Sequence, residues 1–351
     1  MKKTLTLVLS LLALHLAAYT QQRMQYSQYL QNAFLINPAV GGAESFGDLR
    51  IGYSNQWAGF KGAPQGGYIS YCKGLFEPAR DEEPLPPSQK VISLPAPGRG
   101  VANPISGISG SQVEKPKYVP EPNFHLGVGG TLFSESTGPI SISGIGGAFS
   151  SHIRLKDQLK LSIGAGLEML NYRLDPRNIN LVNDNDVAVA GSITNLLIPS
   201  VNAGFALYSQ SWFLAGSTRQ LLRNRIQVNS LNPVISSLEI HYMVQAGYRF
   251  KLSDDISLTP SAILRYVDPA PPSFDLSLQA NYRNIVFGGF SYRHKDAVVG
   301  MIGMGLGKNL SAQYSFDFTT SNLRRYSAGT HSIVLGIRLG KNRLEGRRYF
   351  W

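Results

Sequence analysis

Residues that could do chemistry are few in this sequence, and they are not spaced for a known active site. The six histidines are scattered, and none has the paired spacing of a zinc-binding H-E-x-x-H motif. Neither a G-x-S-x-G nucleophile motif nor a Walker phosphate-binding loop occurs. His331 and Ser332 are adjacent, but successive side chains of a strand point to opposite faces. The sequence therefore predicts no enzyme and no metal or cofactor site.

Three weaker patterns have simpler interpretations. The glycine strings GVGG (127–130) and GIGG (144–147) resemble phosphate-binding loops, but they lie inside predicted strands with no following helix. Glycine on the inner face of a barrel, or at a bend, is the preferred interpretation. The NDND sequence (183–186) could hold a cation in an outer loop, but a solvated turn is favoured. Cys72 is the only cysteine, so the sequence excludes an intramolecular disulfide framework.

The first twenty residues predict an export signal. Two lysines precede an apolar run over residues 5–18, and small residues precede the predicted cleavage site before Gln21. A transmembrane anchor is the alternative, but the run is shorter than the roughly 20 residues that a spanning helix needs. A net charge of +11 raises the question of a nucleic-acid partner, and export argues against one. Anionic lipid and cell-wall polymer are the anions that an exported chain meets.

The elements that carry these residues are predicted to be strands. Segments of about ten residues alternate apolar with polar or small side chains, a pattern typical of outer-membrane barrels. In the segment 273–283, for example, Phe274 and Leu276 share one face while Asp275 and Ser277 share the other. A soluble β-sandwich would give the same alternation. The barrel is favoured because small residues crowd the polar face and aromatic residues lie near strand ends on the apolar face, as in interfacial girdles: Tyr242, Phe250, Tyr266, Phe274, Tyr282 and Tyr314.

The predicted fold is all-β, a single transmembrane antiparallel barrel of about 14 strands. An even strand number is expected of a bacterial barrel. Starting from the periplasm, the connections after strands 4, 6, 8, 10 and 12 are tight turns, whereas the long connections 171–197, 219–238 and 320–329 fall on the outer side. The predicted strands begin near Asp48, Gly66, Phe124, Ser141, Gln158, Ile198, Trp212, Glu239, Ile256, Ser273, Ile285, Ala297, Asn309 and Thr330. The interior face mixes glycines with charged residues: Lys160, Glu168, Arg249, Lys251, Arg265, Asp275 and Arg338.

The predicted organisation has four parts. A signal peptide (1–20) and an N-terminal segment (21–47) precede the barrel (48–339), and a basic, aromatic tail (340–351) follows it. Strand 2 is followed on the periplasmic side by a Pro-rich insertion (77–123), interpreted as a disordered insertion, a partner-docking arm or a peptide folded into the lumen. The tail is either a periplasmic contact or evidence that strand 14 ends later.

Three N-terminal motifs carry a resemblance to a known family. Together they resemble the opening block of the PorP/SprF family, outer-membrane proteins of the type IX secretion system. The C-terminal strands are similar too, so the resemblance covers nearly the whole predicted mature chain apart from 77–123. Ser54 stands where the family pattern has Arg. The motifs are Tyr26, Ser27, Gln28 and Tyr29; Asn37, Pro38 and Ala39; and Ser54, Asn55, Gln56 and Trp57.

The resemblance implies a component of the secretion and gliding machinery in the outer membrane, without enzymatic activity or cofactors. Implied partners are outer-membrane lipid and either periplasmic components (ring proteins or a cell-wall-binding lipoprotein) or the C-terminal domain of a secreted surface protein. Nucleic acid is not among them. An outer-membrane diffusion channel for small solutes is the alternative function, and an outer-membrane hydrolase is a third.

The opening segment, 23–42, is neither a clean helix nor a clean strand. It is rich in Gln, Asn, Tyr and Phe, and Pro38 with Gly41 and Gly42 prevents it from continuing as a strand. It is predicted to tuck into the barrel mouth or lumen, the alternative being an ordinary lead-in to strand 1. The predicted structural and contact positions are Tyr26, Gln28, Tyr29, Asn37, Pro38, Asn55, Gln56 and Trp57.

Overall fold

The computed structural model describes residues 23–44, 46–75, 122–156, 158–175, 194–227, 235–283, 285–307 and 309–340. The predicted signal peptide, the 183–186 turn, nearly all of the 77–123 insertion and the tail after residue 340 lie outside these described residues. No helix within the described ranges is long and apolar enough to cross a membrane.

Fourteen antiparallel strands form one closed barrel, which confirms the predicted fold and strand number. The strands are β1 Gly47–Asn55, β2 Gln65–Leu75, β3 Phe124–Thr137, β4 Ile140–Lys156, β5 Leu159–Leu174, β6 Thr194–Tyr208, β7 Trp212–Arg219, β8 His241–Tyr248, β9 Ile256–Val267, β10 Ser273–Tyr282, β11 Val286–Arg293, β12 Ala297–Leu306, β13 Leu310–Thr319 and β14 Thr330–Leu339. Each strand pairs with its neighbours in sequence, and β1 pairs with β14 to close the barrel. After Arg249, β8 continues over Phe250–Lys251.

Alternation of side chains gives the barrel an apolar outside and a polar inside. In β10, Asp275 is 1% exposed and Ser277 is buried, whereas Leu276 is 53% exposed. A soluble protein would bury the leucine and expose the aspartate. The inverted pattern is the one expected when lipid covers the outer wall and protein fills the lumen.

The predicted strand starts agree with the structure to within four residues. The largest difference is β6, which begins at Thr194 rather than at Ile198 because Leu196 pairs with Tyr172 in a β5 longer than predicted. The predicted loop 171–197 is accordingly shorter, because β5 ends at Leu174 and β6 begins at Thr194. The predicted loop 219–238 contains a short hairpin, Arg225–Gln227 paired with Ile235–Ser237.

The two ends of the barrel differ in their connections. Gly47 at the start of β1 pairs with Leu339 at the end of β14, so the barrel begins and ends on one side. The connections on that side are short, except the one after β2: they are 157–158, 209–211, 252–255, 283–285 and 307–309. Short turns mark the periplasmic side of outer-membrane barrels. This side is therefore the periplasmic end, and the opposite side is called the outer mouth.

Residues 23–44 run through the lumen and are called the plug. The side chain of Arg23 pairs with Glu135, near the outer end of β3, while the Gly42 carbonyl contacts His125 at the periplasmic end of the same strand. The segment was expected to lie in the lumen or its mouth, and the structure places it in the lumen. It enters at the outer mouth, where the carboxylates that pair with Arg23 lie, and reaches the periplasmic end at Gly42.

This direction predicts which side of the membrane the start of the plug faces. Met24 lines a cavity at the outer mouth, and Leu252, 65% exposed, lies in a periplasmic turn. In a Cys72→Ser background, Met24→Cys is expected to react with a membrane-impermeant maleimide on intact cells. Leu252→Cys should react only after the outer membrane is opened. Labelling of both, or of Leu252→Cys alone, would contradict the orientation.

Candidate functional site: the lumen plug and the outer mouth

The plug is buried along almost its whole length. Every residue from 27 to 43 is buried, including Tyr29 at 1% exposure and Asn37 at 0%. Two 3-10 turns, Ala33–Leu35 and Pro38–Val40, shape it, and each is capped by the side chain of the preceding asparagine. Five of the eight predicted positions lie in this segment: Tyr26, Gln28, Tyr29, Asn37 and Pro38.

Asn37 fixes the second turn and also joins it to the barrel wall. Its Oδ1 accepts a hydrogen bond from Ala39 N at 2.9 Å, which satisfies an N–H group at the start of the turn. Its Nδ2 donates to the carbonyls of Phe205 and Gly216 at 3.0 and 3.2 Å. Pro38 follows at the first position of the turn, where its missing N–H costs no hydrogen bond.

Glycines on the inner wall leave the space that this turn occupies. A Cβ built on Gly164 of β5 would lie 2.5 Å from Ala39 N and 2.6 Å from Ala39 Cα. On Gly204 of β6 it would overlap the Asn37 side chain. Gly127 in the GVGG string lies equally close to the plug, against the Gly41 carbonyl. Close backbone approach therefore explains these glycines, as the inner-face interpretation predicted.

Polar side chains of the wall hold the middle of the plug. The Tyr29 hydroxyl lies 3.0 Å from Ser261 Oγ and 3.2 Å from Ser277 Oγ. Gln31 hydrogen-bonds through its side-chain amide to Gln279 at 3.0 Å. Because buried polar groups are costly unless paired, this matching makes the fit between plug and lumen specific. Gln28 donates from Nε2 to the Ser332 carbonyl at 3.4 Å.

Ion pairs fasten the plug at the outer mouth. Arg23 lies 3.1 Å from Glu135 and 3.8 Å from Glu168, and Arg219 of β7 lies 3.3 Å from the same Glu168. Tyr26, another predicted position, donates its hydroxyl to Glu135 at 3.2 Å. Two arginines and two carboxylates thus balance in a largely buried cluster.

Removing Arg23 is expected to loosen the plug. Breaking a buried ion pair from one side costs about 3–5 kcal/mol, because the remaining charge stays buried without its partner. Arg23→Ala should therefore speed hydrogen exchange of the buried stretch 27–43, measured by mass spectrometry on the detergent-solubilised protein. Adding Glu135→Gln should restore part of the protection, since it removes one stranded charge. Unchanged exchange in Arg23→Ala would show that the cluster does not hold the plug.

A second ion cluster surrounds Arg293 at the end of β11. Arg293 lies 3.4 Å from each of three carboxylates, Asp275, Asp296 and Asp317. Arg265 of β9 also pairs with Asp275, at 2.9 Å. The plug enters this cluster through Ser27, whose hydroxyl donates to Asp317 and accepts from Arg293 Nη2. Here two arginines face three carboxylates.

A stacked histidine pair grips the plug at the periplasmic end. The rings of His125 and His152 lie 4.5 Å apart at an interplanar angle of 7°. His152 Nε2 donates to the Gly41 carbonyl at 2.8 Å, and His125 Nε2 donates to the Gly42 carbonyl at 3.1 Å. A carbonyl can only accept, so each Nε2 carries the proton. His152 Nδ1 is then free to accept from the Tyr208 hydroxyl at 2.7 Å.

The plug and the wall complement each other in hydrogen bonding and charge, and one serine–histidine pair lies among these contacts. Ser150 Oγ lies 3.1 Å from His152 Nε2, the spacing of a nucleophile and its base. Both groups instead donate to the Gly41 carbonyl, so Nε2 cannot take the serine proton. Among the described residues, no group of three or more His, Cys, Asp or Glu side chains could hold a metal ion.

The three remaining predicted positions lie at the outer mouth. Asn55 ends β1, where it pairs with Gln65 and His331. Gln56 donates from Nε2 to the Gln25 carbonyl at 2.9 Å, which ties the β1–β2 turn to the start of the plug. Trp57 follows with a positive φ of 47° and donates its N–H to Thr330 Oγ1 at 3.2 Å. The eight predicted positions therefore form two groups, joined through Gln56.

Several contacts were not predicted as part of the site. Arg23 opened the segment singled out from the sequence, but its pairing with Glu135 spans 112 positions and was not predicted. Glu168 and Asp275 were predicted to face the interior, but no partner was predicted for either. His125 and His152 were treated as scattered, and they are brought together only because they face each other in the β3–β4 register.

Comparison with known proteins agrees with the resemblance found in the sequence. A family model described as type IX secretion system membrane protein PorP/SprF matches residues 18–80 and 112–337. No curated protein matches the sequence.

Solved structures with a similar chain path include three outer-membrane proteins. A Pseudomonas aeruginosa FadL homologue is 10% identical over 86% of this chain and 92% of its own, with a TM-score of 0.45. The Pseudomonas putida toluene transporter TodX is 9% identical over 89% of this chain and 93% of its own, with a TM-score of 0.41. The translocator domain of the autotransporter NalP from Neisseria meningitidis is 9% identical over 90% of this chain and 94% of its own, with a TM-score of 0.37. Similarity at this level carries no inference about function.

Proposed function

The chain belongs to the PorP/SprF family of type IX secretion system membrane proteins, and from that premise we propose that it acts as an outer-membrane scaffold. In this role the barrel is a fixed platform of the secretion and gliding machinery. It links periplasmic components or retains a secreted surface protein, and it passes no solutes of its own.

The plug is the observation that carries this proposal. A diffusion channel needs a lumen that solute can cross, whereas here the chain's own residues 27–43 are buried inside the barrel. The plug is held at its outer end by the Arg23 ion pair and at its periplasmic end by the histidine pair. Between them, Asn37 hydrogen-bonds to the wall. A segment held at three levels supports a static platform better than a pore.

The experiment is gentle detergent extraction of the tagged protein from its native outer membrane, followed by mass spectrometry of what remains attached. Type IX ring proteins, a cell-wall-binding lipoprotein or a large surface protein should be recovered. The same preparation, placed in a planar bilayer, should give no steady ion conductance. A barrel that arrives alone and conducts would overturn the scaffold and favour the diffusion channel.

A further inference from the structure

A cavity of about 580 Å³ opens at the outer mouth and is not filled by the plug. Its floor is the start of the plug, and its walls come from the outer connections after β1, β9 and β11 together with the ends of β13 and β14. Such a volume is in the range of ligand-binding pockets. Its lining includes Trp57, Pro271, Pro272, Arg293, Asp296 and Asp317.

Part of the cavity lining is apolar. Trp57 is held at φ 47° by hydrogen bonds on either side: its own N–H to Thr330 Oγ1, and the Ala58 N–H to the Gly329 carbonyl at 2.8 Å. A bulky residue in this backbone region is strained and persists only where its surroundings enforce it. Pro271 and Pro272, in the connection between β9 and β10, also line the cavity. Trp57 suits the methylene stem of a long side chain, and its indole ring can receive a cation on its face.

Asp317 lines the cavity near Trp57, because its strand partner Thr330 is the residue to which the Trp57 N–H donates. Asp317 is 2% exposed, and its Oδ2 already interacts with Ser27 and Arg293. Its Oδ1 has no hydrogen-bond partner within the described part of the chain. With Asp275 and Asp296 it forms a set of three carboxylates against only two arginines. The unpaired Oδ1 is an acceptor that a cationic donor entering the cavity would satisfy.

We propose that this cavity receives a lysine or arginine side chain of a bound cell-surface polypeptide, with its stem against Trp57 and its cation paired with Asp317. The proposal rests on the scaffold function and specifies how such a scaffold recognises its partner. A bare divalent cation fits less well, because Arg293 lies among the same carboxylates. Lys295, at the exposed rim, limits the affinity but leaves the buried Asp317 unmatched.

The test uses the full-length protein in detergent and short peptides as probes. The pentapeptides are acetyl-Gly-Ser-Arg-Ser-Gly-amide, its Lys analogue and its Gln analogue, with affinities measured by saturation-transfer NMR. The Arg and Lys peptides should bind at least about tenfold more tightly than the Gln peptide, as expected for a charge that pairs with a buried carboxylate. Equal binding of all three would overturn the inference.

Variants of the protein locate the binding. Asp317→Asn and Trp57→Ala should each weaken binding of the Arg peptide about tenfold or more. Trp57→Ala is the decisive variant if Asp317→Asn disturbs the plug, because Trp57 lies outside the ion cluster. Asp255→Asn, in an exposed periplasmic turn, is the matched control and should bind as the unmodified protein does. Undiminished binding in both test variants would contradict the assigned site.

The two proposals fail in different ways. If secretion components copurify with the protein but the peptides show no preference for a cation, the scaffold stands and this inference falls. If the Arg peptide binds at Asp317 and Trp57 but nothing copurifies, the inferred site stands and the scaffold falls.

Discussion

A barrel with Gly164→Ala and Gly204→Ala is expected to assemble normally but to conduct ions. Each new methyl group would point into the lumen where the plug turn now lies, against the Ala39 backbone and the Asn37 side chain. The Ala39 backbone cannot move aside as the end of a flexible side chain can, and the Asn37 amide is held by its three hydrogen bonds. Overpacking of this kind costs about 1–3 kcal/mol at each site, and both sites act on the same turn.

The strands themselves should tolerate these changes. Alanine fits the extended backbone of β5 and β6. A Cβ on Gly204 would also lie 3.0 Å from the Gly216 carbonyl oxygen of β7, a contact that a shift of a few tenths of an ångström relieves. The larger overlaps are with the plug, which is displaced, so the polar lumen becomes accessible to water and ions. Conductance steps in planar bilayers are the measurement, with circular dichroism to confirm that the sheet content is kept.

The matched control is Gly147→Ala with Gly300→Ala. A Cβ on Gly147 would have its nearest neighbour at 4.0 Å, and one on Gly300 would meet nothing within 4 Å. This variant has the same number of added methyl groups, and it should remain closed. A silent Gly164→Ala and Gly204→Ala barrel with intact sheet content would show that the plug does not close the lumen.

The strands were predictable because the alternation of side chains within each strand reflects what its two faces contact. A strand such as β10 presents lipid with one face and the lumen with the other, so alternation over ten residues already indicates both the fold and the inner wall. The same logic predicted that glycines such as Gly127 would face inward. Trp57 was singled out by the family motif and not by the alternation, and the motif did not indicate its contact with Thr330.

The direction of the plug was not predictable in this way. Contacts such as that between Arg23 and Glu135 join positions far apart in the chain, and no local period encodes them. The two histidines illustrate the same limit, since His125 and His152 become neighbours only when β3 and β4 pair in one particular register. Registers follow from the closed barrel as a whole, which a single segment does not reveal.

Replacing Asn37 by alanine is expected to release the plug more than any other single change in its turns. The side chain is fully buried and makes three hydrogen bonds, one to the Ala39 N–H and two to wall carbonyls. Loss of the cap to Ala39 costs about 1 kcal/mol, and loss of each of the two hydrogen bonds to the wall costs about 1 kcal/mol more. A loss of about 3 kcal/mol corresponds to a rise of roughly a hundredfold in the open population.

Cys72 provides the measurement. It is the only cysteine, it lies on the inner face of β2, and the Gly42 N–H of the plug hydrogen-bonds to it. In the extracted barrel, its rate of reaction with a small maleimide should therefore rise in proportion to the time that the plug spends open. Asn55→Ala, at the rim of β1, is the control and should leave the rate unchanged.

A second substitution at the same position separates the cap from the wall contacts. Asn37→Asp keeps the oxygen that accepts from Ala39 but replaces the donor by a second carboxylate oxygen facing two carbonyl oxygens. An unpaired charge buried there is worse than no side chain, so Asn37→Asp should expose Cys72 more than Asn37→Ala does. If Asn37→Asp instead labels like the unmodified protein, the cap alone holds the turn, and the hydrogen bonds to Phe205 and Gly216 contribute nothing to the closed state.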